Sequence, residues 1–320
     1  MAKTTVKEKI KLSASKIKTL ESCSWLYNAK YILRLPDTGN SGSARGTVAH
    51  LIFELLFNDR HKKYFNKLKT GKPGILKCPS IHRLILKHAK KLGINNEEDL
   101  DLTYEMIGVG LSHDFYCDGA HTVEAEDNFF IEQDDYIING FIDKTAQHKD
   151  KIVIYDYKSS KKKFSKKEID FNIQALIYIL ATFLKKKTIP SVKFLFLRFK
   201  EQIEQETPEV NEEQLEGFQA YLSYIAGRLS DFSEKDAQAH MAKNSGDKKW
   251  LCGSDKEGKW CCSARMPRIF YIGVDDKDKF IMSSFEKDDL KKNKLVKKTK
   301  HIKYSGCPAW FRQVEDPMNF

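Results

Sequence analysis

The order of sequence textures predicts an α/β protein with helical additions. Three observations carry that reading. Strand-like segments fill residues 122–158 and return at Val192–Phe199; helical patterns occupy residues 168–185 and 211–232; and β-branched runs are bounded by short polar turns. The strands cluster in one stretch and are followed by helix, strand and helix, so one sheet serves both.

Each element has its own signal. Residues 12–20 open with Ser13 and Ser15 and continue with apolar positions at helical spacing, which predicts a helix start. A Gly/Ser-rich stretch after Pro36 (Gly39, Ser41, Gly42, Ser43) reads as a loop. It ends in Arg45-Gly46-Thr47-Val48-Ala49-His50 and an apolar helix, Leu51 to Leu56. Residues 60–100 are Lys-rich, helical or looped, and carry no chemical signal. Thr122–Ile131 is a strand; Tyr136–Ile138 leads through Asn139-Gly140 into Phe141-Ile142-Asp143. A turn at His148–Asp150 precedes Lys151–Lys158, a β-branched strand that ends in charge.

Composition narrows the function classes. With 55 Lys+Arg against 44 Asp+Glu the net charge is +11, which points to a polyanionic partner. The surplus lies in two runs: Lys161, Lys162, Lys163, Lys166 and Lys167, then Lys291, Lys292, Lys294, Lys297, Lys298 and Lys300. Each run reads equally as a solvated face or as a surface that tracks phosphates. No apolar run approaches the ~20 residues of a membrane span, and the basic N-terminus has no apolar stretch before a cleavage site. Membrane and secreted settings are therefore not expected. Seven cysteines without an export signal favour metal ligation or burial over a disulfide framework.

The sharpest chemistry lies between Gly140 and Lys158. Asp143 follows one apolar strand and Asp156 ends the next, with Lys158 two residues on and so on the same face. Paired as a hairpin, these strands bring two carboxylates and an ammonium to one end. Two hard oxygen ligands suit Mg²⁺ or Mn²⁺, and a lysine beside them can orient a water or offset charge developing on phosphorus. Taken alone, Asp-x-Lys also fits a surface ion pair. Gln174 and Tyr178, at i and i+4, interrupt an otherwise apolar helix, and His50 opens another. Ser13-Ala-Ser-Lys16 is better read as a helix cap than as an acyl-serine motif. The chain has no Walker motif, so processing long DNA would call for a partner helicase, free ends or single strands.

Taken in order, Ser13-Ala-Ser-Lys-Ile, Arg45-Gly-Thr-Val-Ala-His50, Gly140-Phe-Ile-Asp143, Asp156-Tyr-Lys-Ser159 and Gln174-Ala-Leu-Ile-Tyr178 resemble the PD-(D/E)XK nuclease superfamily, in particular its RecB/AddB-like branch, which includes CRISPR-adaptation exonucleases. The resemblance spans about residues 12–200. It implies a restriction-endonuclease-like core, a central mixed sheet flanked by helices. By residue number it divides the chain into a helical part with Cys23 and His50 (1–110), the nuclease core (111–245), and a cysteine module packing back on the N-terminus (246–320). It implies a metal-dependent DNA exonuclease with single-strand or end preference, acting in recombination, repair or phage DNA metabolism; a bacterial or host cytoplasm is expected from the missing export and membrane signals. A recombination partner protein is compatible with it. The alternative is a non-catalytic nucleic-acid-binding or scaffold protein on the same fold.

Residue by residue, the resemblance implies that Asp143 and Asp156 hold the divalent metal with the main-chain carbonyl of Tyr157, and that His50 is a further ligand. Lys158 would position or activate the attacking water, and Gln174 and Tyr178 would lie along the nucleic-acid path. Glu124 occupies a place where many relatives carry an acidic residue, and Glu54 lies one helical turn after His50. Tyr157, Tyr178 and Trp25 are the aromatic residues considered for stacking on bases, with core packing preferred for Trp25.

Cys23 stands where this branch often places the first ligand of a [4Fe–4S] cluster. Cys252, Cys261, Cys262 and Cys307 are the C-terminal candidates, and zinc is the other metal such thiolates suit. The spacing is wider than the branch's compact cluster: eight residues separate Cys252 from Cys261, and 44 separate Cys262 from Cys307. Which of Cys261 and Cys262 binds is left open. Cys78 and Cys117 read as buried small hydrophobes.

Overall fold

The structure is a computed structural model that describes residues 9–37, 39–242, 249–254 and 261–311. These form two compact units interleaved in sequence. One takes the described residues up to Ser13 and Gly39–Ala226; the other takes those between Ala14 and Thr38 and from Gly227 onward. The seams differ from the cuts expected near residues 110 and 245.

The first unit is built on a mixed sheet of six strands: β1 (Ile10–Leu12), β2 (Thr122–Glu132), β3 (Tyr136–Gln147), β4 (Ile152–Lys158), β5 (Ser191–Phe196) and β6 (Glu204–Glu206). Its order is β1-β3-β4-β5-β6, with β2 against the other edge of β3. β2 runs antiparallel to β3 along nearly its whole length, Thr122 opposite Gln147 and Glu132 opposite Ile137. On the far edge β3 is shared. β1 pairs in parallel with Tyr136–Ile138, and β4 pairs antiparallel with Lys144–Gln147. β4 is buried on both faces from Ile152 to Tyr157, as the run Ile152–Tyr155 leads one to expect, and the burial takes in Asp156 as well.

Helices cover this sheet. Ser41–Leu56 packs Val48, Ile52, Phe53 and Leu56 into a core with Ile107 and Leu111 of helix Glu97–Ser112 and with Tyr155 and Tyr157 of β4. Helix Ile173–Lys186 forms the crossover between the parallel strands β4 and β5. Two expectations change here. The Gly/Ser stretch is helical from Ser41, because the Asn40 side chain accepts the Ser43 N–H at 2.8 Å and starts the helix early. The single helix expected over 168–185 is two, Lys166–Asp170 and Ile173–Lys186. The break is set by Asn172, whose side chain accepts from Gln174 and Ala175 at 3.1 and 3.2 Å.

The second unit carries a three-stranded antiparallel sheet in the order β8-β7-β9, of β7 (Arg268–Val274), β8 (Phe280–Ser284) and β9 (Lys298–Tyr304). Its core joins Cys23, Trp25 and Ala29 to Ala237, Ala264, Phe270, Tyr304 and Cys307. The Trp25 indole donates to the Tyr304 hydroxyl at 2.7 Å, which donates to the Ala264 carbonyl at 2.7 Å. Much of the second lysine run is neutralised locally. Lys291 and Lys292 meet Asp288 and Asp289 at 2.6 and 2.7 Å, and Lys298 and Lys300 meet Asp278 at 3.3 and 3.6 Å. Among the described residues no helix is long and apolar enough to cross a membrane.

Candidate active site and metal centre

β3 and β4 remain paired as far as Lys144 opposite Tyr155 and part at the next residues, Asp143 and Asp156. Asp143 turns into the gap: its Oδ2 accepts the Tyr157 N–H at 2.8 Å. Its Oδ1 lies 3.0 Å from His50 Nδ1, while His50 Nε2 lies 3.2 Å from the Tyr157 carbonyl. His50 is held by its helix, which comes so close to the end of β4 that a Cβ on Gly46 would sit 2.9 Å from Ser159 Oγ. The Arg45-Gly46 pair thus has a local reason: Arg45 is buried and ion-paired with Asp99, and Gly46 leaves room for Ser159.

Asp156 is 2% exposed and is the hub of a second set of contacts. Lys158 Nζ lies 2.6 Å from its Oδ2 and donates to Gln174 Oε1 at 2.8 Å. Gln174 Nε2 donates to Asp156 Oδ1 at 2.9 Å and to the Tyr178 hydroxyl at 2.7 Å; that hydroxyl donates to Asp156 Oδ1 at 3.0 Å. The polar pair on an apolar helix therefore holds a buried carboxylate.

The structure adds a residue that the sequence reading missed. Glu126 stands opposite Asp143 in the β2–β3 register, at the one position where the ladder of paired residues is interrupted, with φ of 52°. A non-glycine residue there carries backbone strain, and such strain gathers at functional sites. His50, Glu126 and Asp143 each offer a ligand atom within 4.8 Å of the others. The signal was the short turn at residues 133–135: counting back from it puts Glu126, not Glu124, across from Asp143. Glu124 instead opposes Thr145 and is exposed. Glu54 lines the same small pocket as His50, Glu126 and Asp143.

Crowding of acids shows in the protonation equilibria. Burial raises the Asp156 carboxyl above its usual range; Lys158 opposes the rise and Asp143 adds to it. Glu126 is raised by burial and by Asp143. For His50 burial works downward, but the hydrogen bond to Asp143 and the nearby charges of Asp143, Asp156 and Glu126 outweigh it and leave the imidazole raised. A divalent cation would relieve all three, and an imidazole with hard carboxylate and carbonyl oxygens suits Mg²⁺ or Mn²⁺.

The cysteines separate into groups. Cys23, Cys252, Cys262 and Cys307 line one cavity with Trp25, Arg265 and Trp310, whereas Cys261 is exposed. The Cys23 sulfur accepts backbone N–H groups of Leu26 and Ala242 at 3.5 and 3.4 Å. Burial, reinforced by the neighbouring thiols, pushes Cys262 up to about 11. Cys78 and Cys117 are buried in the core of the first unit. Tyr157, Tyr178 and Trp25 are only 4, 5 and 4% exposed, so none presents a ring face on which a base could stack.

Residues 11–261 match the family model of the PD-(D/E)XK nuclease superfamily. A solved Eubacterium rectale protein described as a "putative exonuclease" is similar at 12% identity and a TM-score of 0.46, over 78% of this chain and 90% of that one. Protein VC1899 of Vibrio cholerae is similar at 10% identity and a TM-score of 0.22, over 69% of this chain and 57% of that one. No curated protein matches.

Proposed function

The chain belongs to the PD-(D/E)XK nuclease superfamily, and on that premise we propose that it is a Mg²⁺- or Mn²⁺-dependent deoxyribonuclease working as an exonuclease on single strands or free ends. The observation that carries the reading is the parting of β3 and β4, where Asp143, Asp156 and Lys158 converge beside His50. The bound cation would neutralise charge on the phosphate and acidify a water. Asp143, Asp156, His50, the Tyr157 carbonyl and Glu126 would hold it. Lys158 Nζ rests on Asp156 Oδ2 and Gln174 Oε1, so it is held in place and can hold the attacking water by hydrogen bond. Gln174 and Tyr178 keep Asp156 Oδ1 in place and act through it rather than on the substrate.

We further propose that Cys23, Cys252, Cys262 and Cys307 hold a [4Fe–4S] cluster. Four thiols lining one cavity, the number of thiolates such a cluster takes, with two N–H groups aimed at Cys23, support this reading. This set takes Cys262 in preference to Cys261. End-labelled single- and double-stranded DNA and matching RNA, incubated with Mg²⁺, Mn²⁺ or EDTA under anaerobic conditions, test the function. A ladder that shortens from one end of DNA in metal and stops in EDTA is expected; RNA cleaved in preference, or cleavage in EDTA, would overturn the reading.

A further inference from the structure

The β2–β3 hairpin continues beyond the acid pocket, and its far half carries an unusual surface. Phe130 and Phe141 are 61 and 57% exposed, although they sit inside strands. Their cross-strand partners are Asn139 and Asn128, also exposed, so two rings and two carboxamides form a checkerboard. Alternation puts this checkerboard on the face that holds Asp143. Phe141 lies two residues from Asp143, and Phe130 lies opposite Asn139, four residues from Asp143. At strand rise those separations are about 7 and about 13 Å along the sheet. The other face is buried, with Phe129, Ile138 and Ile142, and Gly140 is glycine because a Cβ there would stand 2.7 Å from the Phe129 ring. The two exposed rings therefore contribute nothing to the core that the opposite face does not already supply.

Large rings on the solvent face of a sheet invite aggregation unless something binds them. What binds must offer flat apolar faces in succession and also deliver an anion to the acid pocket. A second element fits the same partner. Lys161, Lys162, Lys166 and Lys167 are exposed in the segment that leaves β4 three residues past Lys158, and Phe171, 75% exposed, ends it.

Resting on the nuclease reading above, we infer that Phe130 and Phe141 form a base-stacking platform that leads an unpaired nucleic-acid strand to the metal pocket, with the Lys161–Lys167 segment gripping its phosphates. Every base has a π-face, so such a platform ignores sequence, and paired bases inside a duplex cannot reach it. Asn128 and Asn139 can hydrogen-bond base edges between the rings.

Affinity in EDTA tests the platform without requiring cleavage. The probes are fluorescein-labelled oligothymidylate and a DNA dumbbell whose ends are closed by non-nucleotide linkers, so that it presents neither a free end nor an unpaired base. Phe130→Ala and Phe141→Ala should each weaken oligothymidylate binding roughly tenfold, and the double variant more, with little change for the dumbbell. Phe→Trp at both positions should restore binding and Phe→Leu should not. Leu92→Ala, at an exposed aliphatic residue elsewhere in the same unit, is the control. Oligothymidylate affinity that is unchanged, equal losses for strand and dumbbell, or rescue by Leu would each overturn the inference. A wild type that binds the strand through these rings but cleaves nothing in Mn²⁺ defeats the nuclease reading alone. A wild type that cleaves, with a double-Ala variant that binds and cleaves as well, defeats the platform alone.

Discussion

The acid pocket and the cysteine cavity are both candidate metal sites, but they are assembled in opposite ways. The acid pocket draws Glu126, Asp143 and Asp156 from adjacent strands, and its polar atoms already satisfy one another: His50 on Asp143, Lys158 on Asp156, Gln174 and Tyr178 on Asp156. The cysteine cavity gathers Cys23 from one end of the chain and Cys252, Cys262 and Cys307 from the other, among Trp25, Leu26, Leu251 and Trp310. The first is pre-organised by backbone pairing and can lose its metal without losing its shape. The second is apolar between its sulfurs, so its metal would do the joining. Removing a ligand should therefore cost activity in one place and stability in the other.

The largest effect belongs to the acid pocket. Lys158→Ala and Asp143→Ala should each lower metal-dependent cleavage by ~10³-fold or more, read as initial rates on labelled single-stranded DNA. Residual rates within tenfold of wild type would place the chemistry elsewhere. Next comes the cavity. Cys23 and Cys78 are about equally buried, at 6 and 2% exposed, so burial alone predicts similar costs for Ser at either. The cavity account predicts that Cys23→Ser melts ~5 °C or more below Cys78→Ser and loses bound iron and sulfide, with Cys261→Ser close to wild type. Equal melting temperatures for all three would break the comparison.

Glu126→Gln sharpens it from within one pocket. A residue that touches the cation should lower Mn²⁺ affinity and the cleavage rate ~10- to 100-fold, whereas Glu124→Gln changes neither; titration of Mn²⁺ against initial rate gives both numbers. The smallest effect is on pH. The His50–Asp143 contact stabilises fully below the ordinary histidine value of 6.5 and fades as pH rises through the raised one. Glu126 and Asp156, raised above 4.5 and 3.8, stay protonated longer when folded, so their ionisation also erodes stability as pH rises through the raised values. All three act in one direction. In EDTA the melting temperature should fall by a few degrees between about pH 5 and pH 8, and saturating Mn²⁺ should flatten that fall; a melting temperature that rises over the same range would contradict the assignment of these groups.

The acid pocket was largely legible in the sequence because its parts are local. Gly140–Asp143 and Asp156–Lys158 lie on successive strands, and alternation alone puts Asp156 and Lys158 on one face. Gln174 and Tyr178 stood out as polar residues on an apolar helix, although nothing in the sequence revealed that they hold Asp156. Glu126 was hidden because its position depends on hairpin register, which a single residue's count decides, and the neighbouring Glu124 drew attention. The helix from Ser41 was hidden by its glycines: Gly46 reads as a loop residue but is required by the close approach of Ser159. The cysteine set could not be read from spacing, since four of five candidates line one cavity only after the chain ends meet. The sequence reading also looked for stacking rings among Tyr157, Tyr178 and Trp25, all buried; exposure, which only the fold reveals, moves attention to Phe130 and Phe141.

The central claim is that the buried Asp156 serves chemistry at the expense of stability. Asp156→Asn tests it most directly, with melting temperature and DNA cleavage measured on the same metal-loaded and metal-free samples. The amide keeps the size and can still accept from Gln174 and Tyr178, and it removes a charge that burial disfavours; Lys158→Met made together with it removes the ammonium that would otherwise face the amide. The account predicts cleavage reduced to background in both variants and a metal-free melting temperature of the double variant equal to or above wild type. Retained cleavage together with a lowered melting temperature would contradict it and make Asp156 a structural residue.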